Sequence, residues 1–386
     1  MANRGPLMKH ARALEDEDVD AHRAAAHALG DIGKAAVSAL IEALEDEDAR
    51  GGAARALGDI GKIAAPALIK ALQVRNYLVR RAAAKALGRI YPDVAVVVPA
   101  LVEALKDEDN EVRANAAHAL GDIGPEAKAA VPALVEALRD QDFFVRRNAA
   151  IALGCVGPNA KAAVPALLEA FREKDDLVRA NAARALGDIG PNAKAAVPAL
   201  VEALKSSDYL MRQNAPLVLG KIGDEAAVPA LVEALKDRDS LVRANAASAL
   251  GDIGFGAEVA LPVLIGTLKD KDRWVRWWAT VALSKIGGEL ASSALAEALK
   301  DEDGEVRANA ARVLGSIGKA AVPTLIETMS DEDYFVRRNA ATALGDIGLD
   351  AKAAVSILTE ALRDRDYSVR RNAAEALKEI QKPPKP

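Results

Sequence analysis

The chain has 386 residues and a formal charge of −5, from 51 basic against 56 acidic groups. At 51% hydrophobic and 28% charged it is neither disordered nor collagen-like, and its slight acidity gives no general reason to expect a nucleic-acid or anionic-membrane partner. Aromatics are only 3%, so the apolar content is largely Ala, Leu and Val, which suits many thin helical layers better than the two or three thick-cored domains suggested by length alone.

The first twenty residues lack an apolar stretch of secretory-signal length. The apolar run Val94–Val102 is broken by Pro99 and is too short to span a bilayer, and Cys155 is the one cysteine. These features predict a cytoplasmic protein with no membrane span and no intrachain disulfide. From about residue 8 the chain is one unit copied twelve times. Its anchor is the first glycine of Leu-Gly-x-Ile-Gly, at Gly30, Gly58, Gly88, Gly121, Gly154, Gly187, Gly220, Gly251, Gly315 and Gly345, with Ser284 and Lys378 in the same place in two units. Successive anchors lie 28 to 33 residues apart.

The unit from Pro132 to Gly157 shows the logic. Pro132 fits the first turn of a helix over 132–138, where its missing N–H costs nothing, and Leu134, Ala137 and Leu138 recur at helical spacing. Asp140-Gln141-Asp142 closes a loop, with Asp142 placed to cap a second helix whose stripe is Val145, Ala149, Ala150 and Leu153. Gly154 and Gly157 are expected to end that helix together. Neither helix can bury its stripe alone, so each pair must stack on its neighbours. The first repeat begins near Met8, with His10 and His22 in core and ladder places, and reads as a polar cap over about 1–30. A second cap is expected over 350–380, followed by a short disordered tail over 381–386. Adjacent Gly51 and Gly52 should weaken the second helix of repeat two.

The pattern Asp-x-x-Val-Arg-x-x-Ala-Ala-x-Ala-Leu-Gly-x-Ile-Gly, clearest at Asp142, Val145, Arg146, Ala149, Ala150, Leu153 and Gly154, resembles the HEAT-repeat family in its short PBS-lyase-type form. The resemblance covers roughly residues 8 to 380. It implies an all-α, right-handed α-solenoid of about twelve two-helix repeats, a single body over 1–380, with the second helices lining a concave groove. It also implies that the recurring Asp and Arg, such as Asp142 and Arg146, form a ladder between successive pairs. A recurring Asn two residues after the Arg is expected at a helix interface.

The variable positions carry the functional information. At the start of the second helix, Tyr77, Phe143, Tyr209, Tyr334 and Tyr367 alternate with small or polar residues, and repeat nine has Arg273-Trp274. The residue after the ladder Arg follows the same alternation, as Arg81, Arg147, Gln213, Trp277, Arg338 and Arg371. These aromatics read either as local packing over helix starts or as a partner-binding ridge. Trp274, Trp277 and Trp278 fall within one turn beside Arg273 and Arg276, the residue types most enriched in interface hot spots, or else they fill space left by neighbours. Phe144 and Phe255 are weaker candidates.

Enzyme classes built on such repeats find little support. The iron-dependent deoxyhypusine hydroxylases need His-Glu pairs, and none of His10, His22, His27 and His118 is followed by Glu. The HEAT-like DNA glycosylases need a basic cleft, which the acidity and the lack of a continuous basic stripe disfavour. Cys155 is expected to be a buried small residue. The sequence therefore predicts no catalytic residue, no metal and no cofactor. It predicts a monomeric protein-binding scaffold that engages a protein or peptide through Tyr77, Phe143, Tyr209, Trp274, Trp277, Tyr334 and Tyr367. Arg147, Arg273 and Arg338 would meet partner carboxylates. The alternatives are a bilin lyase-like or chromophore-handling accessory, and an engineered or purely structural repeat.

Overall fold

A computed structural model describes residues 34–90, 94–287 and 289–382. The expectations for the first repeat, with His10, His22 and His27, and for residues 383–386 lie outside the described residues. Every regular element described is helical. The chain divides into two compact units, residues 1–196 and 197–386.

In the first unit the helices run in pairs: α1 (Lys34–Ala43) with α2 (Arg50–Ile60), α3 (Ala65–Ala71) with α4 (Tyr77–Arg89), and α5 (Val94–Ala104) with α6 (Asn110–Ile123). Next come α7 (Val131–Ala137) with α8 (Phe143–Val156), and α9 (Val164–Ala170) with α10 (Asp176–Ile189). The second unit pairs α11 (Val197–Ala203) with α12 (Tyr209–Ile222), α13 (Val228–Ala234) with α14 (Ser240–Ile253), and α15 (Leu261–Thr267) with α16 (Arg273–Ile286). It continues with α17 (Glu289–Ala298) and α18 (Gly304–Ile317), α19 (Val322–Thr328) and α20 (Tyr334–Ile347), and α21 (Val355–Ala361) and α22 (Tyr367–Ile380). The described residues thus hold eleven tandem helix pairs, and the first of the twelve expected repeats lies outside them.

Within each unit every second helix packs against its own first helix and against the second helices on either side. The core is Ala, Leu and Val, with Leu153, Ala149 and Val145 fully buried, and Phe171 the one aromatic among the largest fully buried side chains. The local rules hold as expected at α7–α8. Pro132 sits in the first turn of α7, and Asp142 caps α8 by accepting from the Phe144 and Val145 amides at 2.8 and 3.2 Å.

Two expectations are corrected. First, Gly154 does not end α8, which continues to Val156; Gly157, at φ +65°, ends it, its N–H donating to the Gly154 and Leu153 carbonyls. Gly154 is instead a close-approach residue. A Cβ there would lie 3.2 Å from Ala185 Cα of α10, and at Gly220 it would lie 2.7 Å from Ala249 Cα of α14. The missing side chain lets neighbouring backbones touch.

Second, the ladder acid is the first Asp of the loop and not the capping Asp. Arg113 donates through Nε and Nη2 to Asp140 of the next loop at 2.7 and 2.9 Å. Its Nη1 donates to the Asp107 and Glu108 carbonyls of its own loop. Asp140 Oδ1 also accepts from the Asp142 amide at 2.8 Å. Arg80–Asp107, Arg243–Asp270, Arg276–Asp301 and Arg337–Asp364 repeat the pairing at 2.6–2.7 Å. One carboxylate thus shapes its own turn and receives the neighbour's guanidinium, while the second Asp of the loop is left to cap. Arg50 takes the ladder place in the shortened repeat two, donating to the Leu44 and Glu45 carbonyls.

The recurring Asn lies at a helix interface, as expected. Asn148 and Asn245 donate to the Ala114 and Gln213 carbonyls of the preceding second helix at 2.9 Å each. Two stretches, Phe143–Ala170 and Ser240–Thr267, are long and apolar enough by composition to cross a membrane. Each is broken by a positive-φ glycine, Gly157 or Gly254, so neither is one continuous rod.

Candidate partner-binding surface

On each second helix the second, fifth, ninth and thirteenth places after the capping residue fall along one face. On α16 these places hold Trp274, Trp277, Val281 and Lys285. Trp274 is 52% exposed, and Trp277 and Trp278 are half-buried. Trp277 sits edge-on between the other two rings, 6.4 Å from Trp274 and 4.6 Å from Trp278. The Trp277 carbonyl accepts from Thr280 Oγ1 at 2.6 Å and from Asn309 of α18 at 3.3 Å, which fixes the backbone that presents the ring. Trp278 replaces the recurring Asn, so α16 reaches back with a ring and not an amide.

The neighbouring helix α14 is buried without a break from Val242 to Gly251, including Ala244 and Ser248 at its fifth and ninth places. On the far side of that low strip, α12 presents Leu217, 42% exposed, and half-buried Leu210, while Leu241 at the head of α14 is 41% exposed. Leu210, Leu217, Leu241, Trp274 and Trp277 therefore place accessible apolar side chains on three successive second helices, α12, α14 and α16, while Ala244 and Ser248 of α14 are buried. The first-position aromatics were legible in the sequence. Trp274 was legible too, but its second-position companions Leu210 and Leu241 were missed, and their signal was an apolar residue after the variable one in repeat after repeat.

The other candidates differ in how available they are. Tyr77, Tyr209, Tyr334 and Tyr367 are exposed, whereas Phe143 is half-buried against Phe144 at 5.0 Å, and Phe144 is the more exposed of the two. Among the cations, Arg273 stacks on Trp274 at 5.1 Å and pairs with Asp303 at 3.4 Å. Arg338 lies over Phe335 and donates to Asn339 Oδ1 at 3.1 Å. Arg147 is half-buried, and its Nε is buried with no hydrogen-bond partner among the described residues. Arg81, outside the candidate set, is held by Asp109 at 2.6 Å and Glu111 at 2.9 Å.

Cys155 contradicts its expected burial and is exposed. It occupies the thirteenth place, where α6 and α10 have Asp122 and Asp188. Partial desolvation pushes its thiol pKa up against the opposing pull of Arg184, with Asp188 and Asp122 adding to the rise, the reverse of an activated nucleophile. No group of three or more His, Cys, Asp or Glu side chains among the described residues is placed to hold a metal.

The HEAT repeats family matches this sequence over residues 37–98, 65–154, 98–179, 164–251, 228–304 and 292–378. The PBS lyase HEAT-like repeat matches residues 21–46. None of the curated proteins matches the chain. Among solved structures, importin beta in an ammonium sulfate condition is similar over 97% of this chain and 62% of its own, at 16% identity and a TM-score of 0.66. Kap95p, in a structure with RanGDP, is similar over 97% of this chain and 61% of its own, at 15% identity and a TM-score of 0.65. An engineered protein is 27% identical over 82% of this chain and 99% of its own, with a TM-score of 0.47. This chain spans less than two thirds of the length of the importin beta and Kap95p chains, and at those identities the likeness is one of fold.

Proposed function

Since the chain belongs to the HEAT-repeat family, a characteristically non-catalytic fold with a general protein-interaction role, we propose that it is a protein-binding scaffold whose second helices form the groove that holds a partner. About twelve helix pairs make up that scaffold, working as a cytoplasmic monomer. The observation that supports this reading is the set of exposed apolar side chains on α12, α14 and α16. Leu217, Leu241 and Trp274 stand about half in water, one on each of these three successive second helices. Exposed Trp and Leu around small residues is the composition of a hot-spot pocket, and an amphipathic helix of the partner can seat its apolar face there. Within the second unit Tyr209, Tyr334 and Tyr367 add to the contact and Arg273 and Arg338 meet partner carboxylates, and in the first unit Tyr77, Phe143 and Arg147 offer contacts of the same kinds.

The test is paired affinity capture with mass spectrometry from lysate of the source cell, using the parent chain and a Trp274→Ala, Trp277→Ala variant. Circular dichroism first establishes that the variant keeps its helix content. A protein held by the parent and lost by the folded variant supports the reading. Equal capture by both returns the tryptophans to internal packing.

A further inference from the structure

The second-helix face of the first unit has a different character. At the ninth place α2, α4, α6 and α10 carry Arg55, Lys85, His118 and Arg184, where α12, α14 and α16 carry Leu217, Ser248 and Val281. Across α2, α4 and α6 lies a groove with a cavity volume of about 500 Å³, whose lining holds five cations, Arg50, Arg55, Arg81, Lys85 and Arg89, against one carboxylate, Glu111. Its floor is Ala54, Ala82 and Ala86.

The cations are not equivalent. Arg50 is committed to loop carbonyls and Arg81 to Asp109 and Glu111. Arg55 donates through Nε to the Gly51 carbonyl of its own helix, and neither Arg55 nor Lys85 forms an ion pair among the described residues. Arg89 reaches Asp59 only at 3.9 Å. Three exposed cations thus line the same small-residue floor, two of them without an ion pair among the described residues and the third held only at 3.9 Å.

We propose that this groove binds an acidic segment of a partner protein, its carboxylates on Arg55, Lys85 and Arg89 and its small or apolar side chains on the alanine floor. Charge complementarity commits the occupant to an acidic chain, and the Ala floor lets a peptide backbone approach closely. A nucleic acid fits less well. At the thirteenth places Asp59 and Asp122 flank Arg89, with Glu126 and Lys62 next to them, so acidic side chains interrupt the basic surface where a phosphate backbone would need it to continue. No aromatic ring lines the groove for a base to stack on. This site is separate from the tryptophans of α16 and stands or falls without them.

The probe is a fluorescent peptide of repeating Glu-Leu-Ala-Glu blocks, titrated by anisotropy against the full chain, with its Lys-for-Glu counterpart and a single-stranded oligonucleotide of similar length as competitors. The parent should bind the acidic peptide and weaken with rising salt, since exposed pairs are screened. A paired Arg55→Glu, Lys85→Glu variant should lose roughly tenfold or more in affinity. The Trp274→Ala, Trp277→Ala variant should bind as the parent does. If charge reversal lowers the helix content, the Arg55→Gln, Lys85→Gln pair makes the same comparison. No binding by the parent, equal binding by the reversed variant, or equal binding of the Lys-for-Glu peptide would overturn the proposal. Preferential displacement by the oligonucleotide would overturn it in favour of nucleic acid. Loss in the tryptophan variant would overturn the location.

Discussion

At Gly220 two residue-scale effects oppose each other. Alanine is worth about 1 kcal/mol more than glycine inside a helix. Yet a Cβ at Gly220 would lie 2.7 Å from Ala249 Cα, an atom of packed backbone that has nowhere to move. Overpacking of about 1–3 kcal/mol should win, so Gly220→Ala is expected to lower the urea midpoint. Gly266, inside α15 with nothing within 4 Å of its Cβ position, is the control. Gly266→Ala should raise the midpoint by about 0.5–1 kcal/mol of stability. The same sign for both would show that propensity, not approach distance, governs these positions. Carboxylates paired with arginine set the response to acid. Hydrogen bonding from Arg337 holds the ladder Asp364 carboxyl below its usual range, and Arg81 does the same for the capping Asp109. A depressed folded pKa contributes stability that is complete above the ordinary carboxylate value and is lost as pH falls through the folded one. Urea midpoints should therefore drop from neutral pH into the acid range, and less steeply in Asp364→Asn. Parallel curves would remove Asp364 from the account.

At the scale of the helix, α8 gathers a cap, a stripe and a stop, and each can be removed alone. Asp142→Ala should cost about 0.5–2 kcal/mol by leaving the Phe144 and Val145 amides without their acceptor. Leu153→Ala should cost about 2–5 kcal/mol through the cavity it leaves, and Ala149→Phe about 1–3 kcal/mol through overpacking. Thermal unfolding that matches the parent in any of the three would contradict the role assigned here. These elements were legible in the sequence because cap, Pro and periodic stripe are local signals repeated many times over. The ladder partner was not. Asp140 and Asp142 are two residues apart in one loop, and composition cannot say which turns inward to cap and which receives Arg113. Gly154 misled for a related reason: a glycine near a helix end reads as a stop, and its true neighbour, Ala185, is a whole repeat away. Cys155 was expected to be buried because it sits among core residues in the chain, whereas the last turn of the helix carries the thirteenth place out to solvent. The ninth-place cations Arg55 and Lys85 went unnoticed because they vary from repeat to repeat, and attention fell on the aromatics at the helix start.

At the scale of the whole chain, the net charge of −5 averages over faces of unlike character. The first unit presents Arg55, Lys85 and Arg89, and the second presents Trp274, Leu217 and Leu241. Composition argued against a charged binding surface only because acidic loops elsewhere cancel it.

The bond from Arg113 to the next loop has a further consequence. Residues 140–172 run from one ladder acid to just before the next, Glu173, which already receives Arg146 at 3.1 Å. If that stretch were excised, Arg113 would find Glu173 where Asp140 had been, and Gly121 would face Ala185 where it had faced Ala152. The seam would close with the same kinds of partner on both sides. A deletion of half a repeat would instead leave two helices of the same kind in succession. The shortened chain should fold cooperatively with proportionately less helix by circular dichroism, and the half-repeat deletion should not. A gene with this wiring can gain or lose whole lengths by unequal recombination and still encode a folded protein, so its size is a quantity that inheritance is free to adjust.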